Sequence, residues 1–258
     1  MDSSRVTNEI SNWIRERVTS AGCRGVVFGL SGGLDSAVMA GIAMRAVPEA
    51  SLGVIMPCHS DPVDVEDAMA CARTFNLPVI VCDLSDQYDR QLQLMDSLLS
   101  SCDAPSMAAL AQAEPSRLRL TRANLKPRLR MTVLYYYANL LNLLVAGTTN
   151  RSELKVGYFT KHGDGGSDIM PLGGLVKWHV RDVAAYLGVP RRIIEKPPTA
   201  GLWTGQTDEG EMGVTYEQLD HYILTGEAPE FVRERVEGLA RSAAHKMMRP
   251  PIPDIAID

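Results

Sequence analysis

A short apolar run at residues 26–30 is followed directly by the hexapeptide SGGLDS at residues 31–36, and this arrangement constrains the fold more than any other part of the sequence. The run has the length and composition of a buried strand. Residues 37–44 are apolar and read as a helix, so the hexapeptide is predicted to be a tight strand-to-helix turn. Its glycines let the backbone turn sharply and let a ligand approach closely. N–H groups at the start of the helix then form an anion site.

The polar side chains of this turn suit phosphate that is bound together with a cation. Ser31 and Ser36 can donate hydrogen bonds to phosphate oxygens. Asp35 would repel phosphates unless a cation lies between them, and its presence therefore predicts Mg²⁺. The turn alone leaves an alternative open, which is an ordinary glycine-rich loop whose serine caps the helix.

Strand-like runs alternate with helix-like segments along the chain. This alternation predicts a parallel sheet with right-handed crossovers. We expect a doubly wound α/β fold, Rossmann-like, with helices on both faces of the sheet. The predicted strands are residues 26–30, 52–56, 77–82 and 144–146, and the predicted helices are residues 6–18, 36–47, 62–75, 88–99, 131–143, 175–187, 216–224 and 229–248.

Three segments of the sequence do not follow this alternation. Residues 157–174 are rich in glycine and charge and are predicted to form a loop that moves over a ligand. Residues 192–206 are predicted to be extended, and residues 100–115, which are small and polar, are predicted to be a mobile connection. Because no repeat or clean boundary interrupts the chain, we expect residues 1–258 to form a single domain.

Composition excludes several classes of protein. The formal net charge of -5 does not favour broad attraction to nucleic acid or to a membrane. The five cysteines are odd in number and have no C-x-x-C spacing, which argues against a zinc knuckle and a disulfide framework. The sequence shows no signal peptide at its start and no apolar run as long as a membrane span. These features favour a cytoplasmic protein with reduced thiols.

The hexapeptide resembles the S-G-G-x-D-S signature of the PP-loop ATP pyrophosphatases. Later segments narrow the resemblance to the NAD synthetases within that group. Residues 124–131 (NLKPRLRM), 147–153 (GTTNRSE) and 157–172 (GYFTKHGDGGSDIMPL) are similar to three NAD synthetase segments: N-x-K-A-R-x-R-M, G-T-x-N-x-x-E and G-x-F-T-K-x-G-D-G-x-x-D-x-x-P-L. Lys177, residues 198–200 and residues 245–246 also match, so the resemblance runs in order from residue 26 to residue 246. Pro127 departs from the pattern, which has alanine there.

The resemblance implies a set of site residues. Asp35, Glu153 and Lys177 would be catalytic, and Asp35 and Glu153 would also bind Mg²⁺. The nicotinic acid dinucleotide deamido-NAD would be held by Arg128, Lys161, Asp168, His245 and Lys246. The residues implied for ATP are Gly29, Leu30, Ser31, Gly32, Gly33, Leu34, Asp35, Ser36, Thr148, Lys177 and Thr199.

Elementary chemistry agrees with these implied roles and leaves some alternatives open. Glu153 lies near the sheet edge that holds Asp35, so the two carboxylates can share Mg²⁺. Alternatively, Glu153 is only a first-turn residue of the next helix and Thr148 only its cap. Arg128 and Arg130 are two apart and cannot share a helix face, so one is expected to bind substrate and the other to pack.

The resemblance implies ammonia-dependent synthesis of NAD⁺ through an acyl-adenylate, with release of AMP and pyrophosphate. Only one helix is predicted before the first strand, so we expect no glutaminase domain and free ammonia as nitrogen donor. Members of the family are homodimers, and we expect the same here; Tyr135, Tyr136 and Tyr137 are predicted to pack a helix, with a subunit interface as the alternative. Two other functions stay open: another PP-loop adenylating enzyme, such as one that modifies tRNA, and a non-enzymatic ATP-binding module.

Overall fold

The computed structural model describes residues 1–99, 115–203, 205–253 and 255. Apart from Pro115, the connection predicted over residues 100–115 lies outside the described residues. Four parallel strands form one sheet in the order β3-β2-β1-β4, with β1 at Gly25–Gly29, β2 at Ser51–Ile55, β3 at Val79–Val81 and β4 at Leu143–Val145.

The strand order explains where a ligand can bind. The chain leaves β1 for β2 and β3 on one side and then returns to place β4 on the other side of β1. Crossover connections therefore diverge at the carboxyl ends of β1 and β4, which is where open α/β sheets hold their ligands. The hexapeptide follows β1, and residues 147–149 follow β4.

Twelve α-helices lie in the described part of the chain. Their bounds are α1 Ser3–Ser20, α2 Leu34–Ala46, α3 Pro62–Phe75, α4 Ser85–Leu99, α5 Pro115–Ala123, α6 Leu125–Leu141, α7 Arg151–Val156, α8 Lys177–Leu187, α9 Arg191–Ile194, α10 Asp208–Met212, α11 Tyr216–Thr225 and α12 Glu230–Met247; a 3₁₀ turn spans Pro48–Ala50. None of these helices is both long and apolar enough to cross a lipid bilayer.

Helices cover both faces of the sheet, as predicted. Side chains of β1 alternate, so Phe28 packs with Ile14 of α1 and Val180 of α8, whereas Val27 packs with Leu129 of α6 on the opposite face. A third, smaller cluster joins α7 to α10, α11 and α12. The doubly wound α/β prediction is therefore confirmed.

Helix α6 departs from its predicted bounds. It begins at Leu125 rather than at residue 131, and Pro127 lies in its first turn. The first N–H groups of a helix have no intrahelical partner, so proline costs little there. The helix ends at Leu141 because Asn142 adopts a left-handed conformation, with φ of 56°.

Two further predictions need correction. Residues 192–206 are not extended throughout, since α9 covers Arg191–Ile194. The three tyrosines of α6 do not all pack: Tyr135 and Tyr137 pack beside the core, whereas Tyr136 is 64% exposed. The four cysteines among the described residues, Cys23, Cys58, Cys71 and Cys82, are free, as expected of reduced thiols.

Candidate active site

A cavity of about 640 Å³ opens at the carboxyl ends of β1 and β4. Most of the residues implied by the sequence lie in its wall. Gly32 and Asp168 are the two exceptions. The implied residues that line the cavity are Gly29, Leu30, Ser31, Gly33, Leu34, Asp35, Ser36, Arg128, Thr148, Glu153, Lys161, Lys177, Thr199, His245 and Lys246.

Gly32 shapes the hexapeptide turn from behind the cavity wall. Its φ is +80°, a conformation that residues with a side chain rarely adopt. A Cβ at this position would lie 2.2 Å from the carbonyl oxygen of Asp64 on α3. The turn therefore packs directly against the start of α3, and glycine is required there for both reasons.

The serines of the turn bond within the turn itself. Ser36 Oγ accepts from the Ser31 N–H at 3.2 Å and donates to the Gly33 carbonyl at 3.0 Å. The Gly33 N–H donates to Ser31 Oγ at 3.2 Å. These bonds fix the backbone so that the start of α2, with Asp35 in its first turn, faces the cavity.

Asp35, Lys177 and Glu153 meet although they come from three different helices. Lys177 Nζ lies 2.5 Å from Asp35 Oδ2 and 3.5 Å from Glu153 Oε1, and only 4% of the lysine side chain is exposed. Burial lowers the pKa of Lys177, but the charges of Asp35 and Glu153 outweigh it, so the pKa is raised and the lysine stays charged. Burial, with Asp35 nearby, raises the pKa of Glu153.

Helix α7 holds Glu153 and positions Asp35 through its first turn. Asn150 caps the helix: its Oδ1 accepts from the Glu153 N–H at 3.0 Å, and Glu153 Oε2 accepts from the Asn150 N–H at 3.2 Å. Asn150 Nδ2 also donates to Asp35 Oδ1 at 2.9 Å. Glu153 is therefore both a first-turn residue and part of the cluster, and the cap is Asn150 rather than Thr148.

The sequence did not predict four residues that lie near this cluster: Tyr158, Asp208, Glu211 and Tyr216. Tyr216 donates its O–H to Asp208 Oδ2 at 3.0 Å, and its oxygen lies 3.4 Å from Glu153 Oε1. Tyr158 donates to Glu211 Oε2 at 2.5 Å. Asp208 and Glu211 belong to the acidic run DEGE at residues 208–211. An acidic run by itself does not predict a particular kind of site.

Several basic residues also line the cavity, and they are called the basic wall here: Arg128, Lys161, His245 and Lys246. Lys161 Nζ donates to the His245 carbonyl at 2.8 Å, and Lys246 Nζ donates to the carbonyls of Gly157 and Phe159, both at 2.8 Å. These bonds hold the loop after α7 against the end of α12. Lysine heads with spare N–H donors and positive charge suit an anionic ligand.

The two arginines of α6 have different surroundings. The Arg128 side chain is exposed in the cavity and donates to the Lys161 carbonyl at 3.3 Å. Arg130 is half-buried, donates to the Met56 carbonyl at 3.0 Å and so attaches α6 to the end of β2. Burial lowers the pKa of Arg130. The environments match the expectation that Arg130 is the one that packs.

Asp168 lies behind the cavity wall. Its Oδ1 accepts from the Tyr135 O–H at 3.0 Å, and its Oδ2 accepts from the Val145 N–H at 2.8 Å. Burial and this hydrogen bond raise the pKa of Tyr135 to about 12. Within one chain, then, Asp168 holds the end of β4 against α6, and its contact with a substrate stays a prediction.

The segment that contains Thr199 covers one side of the cavity. Thr199 Oγ1 donates to the Gln206 carbonyl at 2.9 Å and accepts from the Gly201 N–H at 3.1 Å. Lys126 Nζ donates to the Leu202 carbonyl at 3.0 Å, which attaches the segment to α6. Thr199 therefore organises a covering loop and also reaches the cavity wall.

A comparison with known families identifies the chain. The family model described as NAD synthase matches residues 6–250. The chain belongs to the NAD synthase family. The family and ligase class that the sequence predicted are thereby confirmed.

Individual members of the family are similar over nearly their whole length. The NH(3)-dependent NAD(+) synthetase of Carboxydothermus hydrogenoformans is 50% identical over 96% of each chain. The structure of an NMN synthetase from Francisella tularensis is 32% identical, with a TM-score of 0.87 over 99% of this chain and 100% of that one. An NH3-dependent NAD synthetase from Campylobacter jejuni is 28% identical, with a TM-score of 0.73 over 98% and 100%.

Proposed function

We propose that this NAD synthase family member converts deamido-NAD to NAD⁺ with ATP and ammonia, through an acyl-adenylate, and releases AMP and pyrophosphate. The observation that carries the proposal is the single cavity that joins the hexapeptide turn, the Asp35–Lys177–Glu153 cluster and the basic wall. The relatives named as NH(3)-dependent NAD(+) synthetases, 50% and 44% identical over almost the whole chain, support it.

The turn at residues 29–36 is the proposed site for the phosphates of ATP. Its backbone is closely packed, and its position at the start of α2 suits an anion. Thr148 and Thr199 also line the cavity and are proposed to contact the nucleotide. Lys177 is proposed to offset the charge that grows on the α-phosphate during adenylation.

The carboxylates of Asp35 and Glu153 fit Mg²⁺. Both converge on one cationic atom, Lys177 Nζ, so two oxygens from different helices already face a common position. Magnesium is usually held by one or two carboxylates together with substrate phosphates and water. The described residues contain no group of three His, Cys, Asp or Glu side chains that could hold a metal. When bound, Mg²⁺ would neutralise phosphate charge.

Adenylation requires only positioning and charge stabilisation from the protein. A carboxylate oxygen of the nicotinic acid attacks the α-phosphorus of ATP; the new O–P bond forms as the bond to the bridging oxygen breaks, and pyrophosphate leaves with the electron pair. Arg128, Lys161, His245 and Lys246 are proposed to hold the dinucleotide, and Asp168 is proposed to accept from a ribose hydroxyl.

Amidation follows in the same cavity. Ammonia attacks the acyl carbon, the C–N bond forms, the C–O bond to AMP breaks, and the nitrogen loses one proton. The loop at residues 157–166 and the segment at residues 196–203 both line the cavity and are proposed to exclude water, which would hydrolyse the adenylate. We propose free ammonia as the donor and a single domain over residues 1–258.

Product analysis tests the proposal. Deamido-NAD, ATP, ammonium and Mg²⁺ are expected to give NAD⁺, AMP and pyrophosphate in equal amounts. Glutamine in place of ammonium is expected to give none. Pyrophosphate release that needs an RNA instead of deamido-NAD would favour another PP-loop enzyme, and ATP binding without turnover would favour a binding module.

Amidation of nicotinic acid mononucleotide is a second candidate. The observation that favours it is the TM-score of 0.87 to the Francisella tularensis NMN synthetase. The two proposed substrates differ because the dinucleotide carries an adenylyl half and the mononucleotide does not. A comparison of kcat/KM for the dinucleotide and the mononucleotide separates them, and we expect the dinucleotide to be preferred.

A further inference from the structure

Asp208 has a carboxylate oxygen without a partner inside the proposed active site. The residue begins α10, lines the cavity and is 4% exposed. Its Oδ2 accepts from the Tyr216 O–H at 3.0 Å, whereas its Oδ1 is buried and has no hydrogen-bond partner among the described residues. An unpaired buried acceptor costs free energy, so such an atom is normally satisfied by a donor from a ligand, an ion or water.

Hydrogen-bond acceptors outnumber donors around Asp208. A tyrosine brings one proton, and its oxygen can still accept. The Tyr216 proton is directed to Asp208 Oδ2, and the Tyr158 proton is directed to Glu211 Oε2 at 2.5 Å. Gln206 Nε2 also donates to Glu211 Oε2, at 2.7 Å. Asp208 Oδ1 and the Tyr216 oxygen therefore remain as acceptors for a group that brings its own hydrogens. The Tyr158 oxygen accepts from Gln206 Nε2 at 3.4 Å and keeps one further lone pair.

Charge in this region is also unbalanced. The carboxylates of Asp35, Glu153 and Asp208 all influence Lys177, which lies at 2.5 Å from Asp35 and 3.5 Å from Glu153. Burial raises the pKa of Asp208, and Lys177 lowers it in part. Lys177 forms its ion pairs with Asp35 and Glu153, so among the described residues Asp208 is the carboxylate of the three without a direct ion pair. A cation bound beside it would offset the cost of its buried charge.

We propose that Asp208, with Tyr158 and Tyr216, forms the subsite for the ammonium ion, which gives one proton to the Asp208 carboxylate and then, as ammonia, supplies the amide nitrogen. This proposal rests on the proposed function. Ammonium carries one positive charge and four N–H donors in a compact shape, which matches a buried carboxylate whose neighbours include the phenols of Tyr158 and Tyr216. Water would bring only two donors and no charge.

The substitution Asp208→Asn tests the subsite because it removes the charge and keeps the shape. NAD⁺ formation is measured against ammonium concentration, and hydroxamate formation is measured against hydroxylamine concentration. Hydroxylamine is largely uncharged at neutral pH and attacks the same acyl-adenylate. We expect kcat/KM for ammonium to fall about tenfold or more, as for loss of a hydrogen bond to a charged group. The values for hydroxylamine, ATP and deamido-NAD should stay within about twofold.

A matched control and a second variant complete the experiment. Asp86 is an exposed carboxylate on α4, so Asp86→Asn should change neither reaction. If thermal melting shows that Asp208→Asn does not fold, Glu211→Gln replaces it, since Glu211 orients Tyr158 and is less buried. For Glu211→Gln we then expect a smaller decrease in kcat/KM for ammonium, again without a change for hydroxylamine.

Two results would overturn the subsite alone. Equal losses with ammonium and hydroxylamine would place Asp208 in adenylation or in folding. An altered Mg²⁺ requirement with unchanged ammonium dependence would make it a metal ligand. A wild-type enzyme that forms neither NAD⁺ nor hydroxamate would instead overturn the proposed function, and the subsite with it.

Discussion

Lys177 decides the electrostatics of the site at the scale of single residues. Its ammonium group is buried between two carboxylates, and its raised pKa keeps it charged at neutral pH. An isolated buried lysine would tend to lose its proton. The two acidic partners reverse that tendency, so the position can both hold the carboxylates apart and face a phosphate.

Lys177→Gln is expected to reduce the rate of pyrophosphate release about 10²–10³-fold, because a preorganised positive charge is lost where negative charge develops. The KM for deamido-NAD should change little, since Lys177 shares no hydrogen-bond partner with Lys161 or Lys246, the lysines proposed to hold the dinucleotide. Pyrophosphate release in single-turnover reactions measures this. Lys155→Gln, which alters a half-exposed lysine paired with Glu237, serves as control and should retain activity.

Glu153 predicts a pH-dependent stability. Its pKa is raised by burial and by Asp35, so the folded state favours the protonated form. The free energy of unfolding then falls as pH rises from the ordinary glutamate pKa of 4.5 towards the raised pKa of about 8. Glu153→Gln keeps the capping geometry and removes the free-energy cost of a buried charge at this position.

The variant Glu153→Gln should therefore have a higher Tm than the wild type without ligands near pH 8, and the difference should disappear near pH 4. Thermal melting across this range measures it, with roughly 2–4 °C expected for each kcal/mol. Glu217→Gln, at an exposed position of α11, should show no such trend. A constant difference at every pH would show that the Glu153 charge has no cost in the fold.

At the scale of elements, the hexapeptide turn depends on how closely α3 approaches it. Gly32 combines a positive φ with a neighbour, the Asp64 carbonyl, that leaves no space for a Cβ. The turn, β1 and the start of α3 are therefore one packed unit. The sequence predicts that the turn needs glycine, but the identity of the neighbour comes from the packing of α3.

Gly32→Ala is expected to destabilise the protein by about 1–3 kcal/mol and to weaken ATP binding, because the backbone must leave its left-handed conformation. Urea unfolding and ATP titration measure the two effects. Gly174→Ala provides the control, since a Cβ at Gly174 would meet nothing within 4 Å. Equal free energies of unfolding for Gly32→Ala and Gly174→Ala would show that the turn does not require glycine at residue 32.

At the scale of the whole molecule, an exposed apolar face supports the proposed homodimer. Tyr136 and Leu140 lie one turn apart on α6, and both are 64% exposed. Large apolar side chains that share an exposed helix face are typical of interfaces. Tyr135, on the same helix, donates to Asp168, one of the residues implied for the substrate.

Leu140→Glu is therefore expected to convert the dimer to a monomer, because a charge would be buried at the contact. Light scattering measures the mass in solution. Leu224→Glu alters an exposed leucine on α11 and should leave the dimer intact. A monomeric wild type that is fully active would show that the dimer is not needed.

The sequence by itself determined the α/β alternation, the strand-to-helix turn and the family, and most of the residues that it implied for the site line the cavity. These follow from local pattern: apolar runs, glycines at a turn, and motifs of fixed spacing. Local pattern also has limits, as the early start of α6 shows. The apolar pattern predicted a start at residue 131, whereas the helix begins at Leu125 with Pro127 in its first turn.

Only the tertiary structure decided which side chains meet. Lys177 and Asp35 are 142 residues apart in the chain and 2.5 Å apart in space, and no spacing rule in the sequence links them. The same holds for Asp208, whose unpartnered oxygen depends on where α10 and α11 dock against α7. Strand order and helix docking set such contacts, because the free energy of burying the apolar faces fixes each helix and thereby its polar residues.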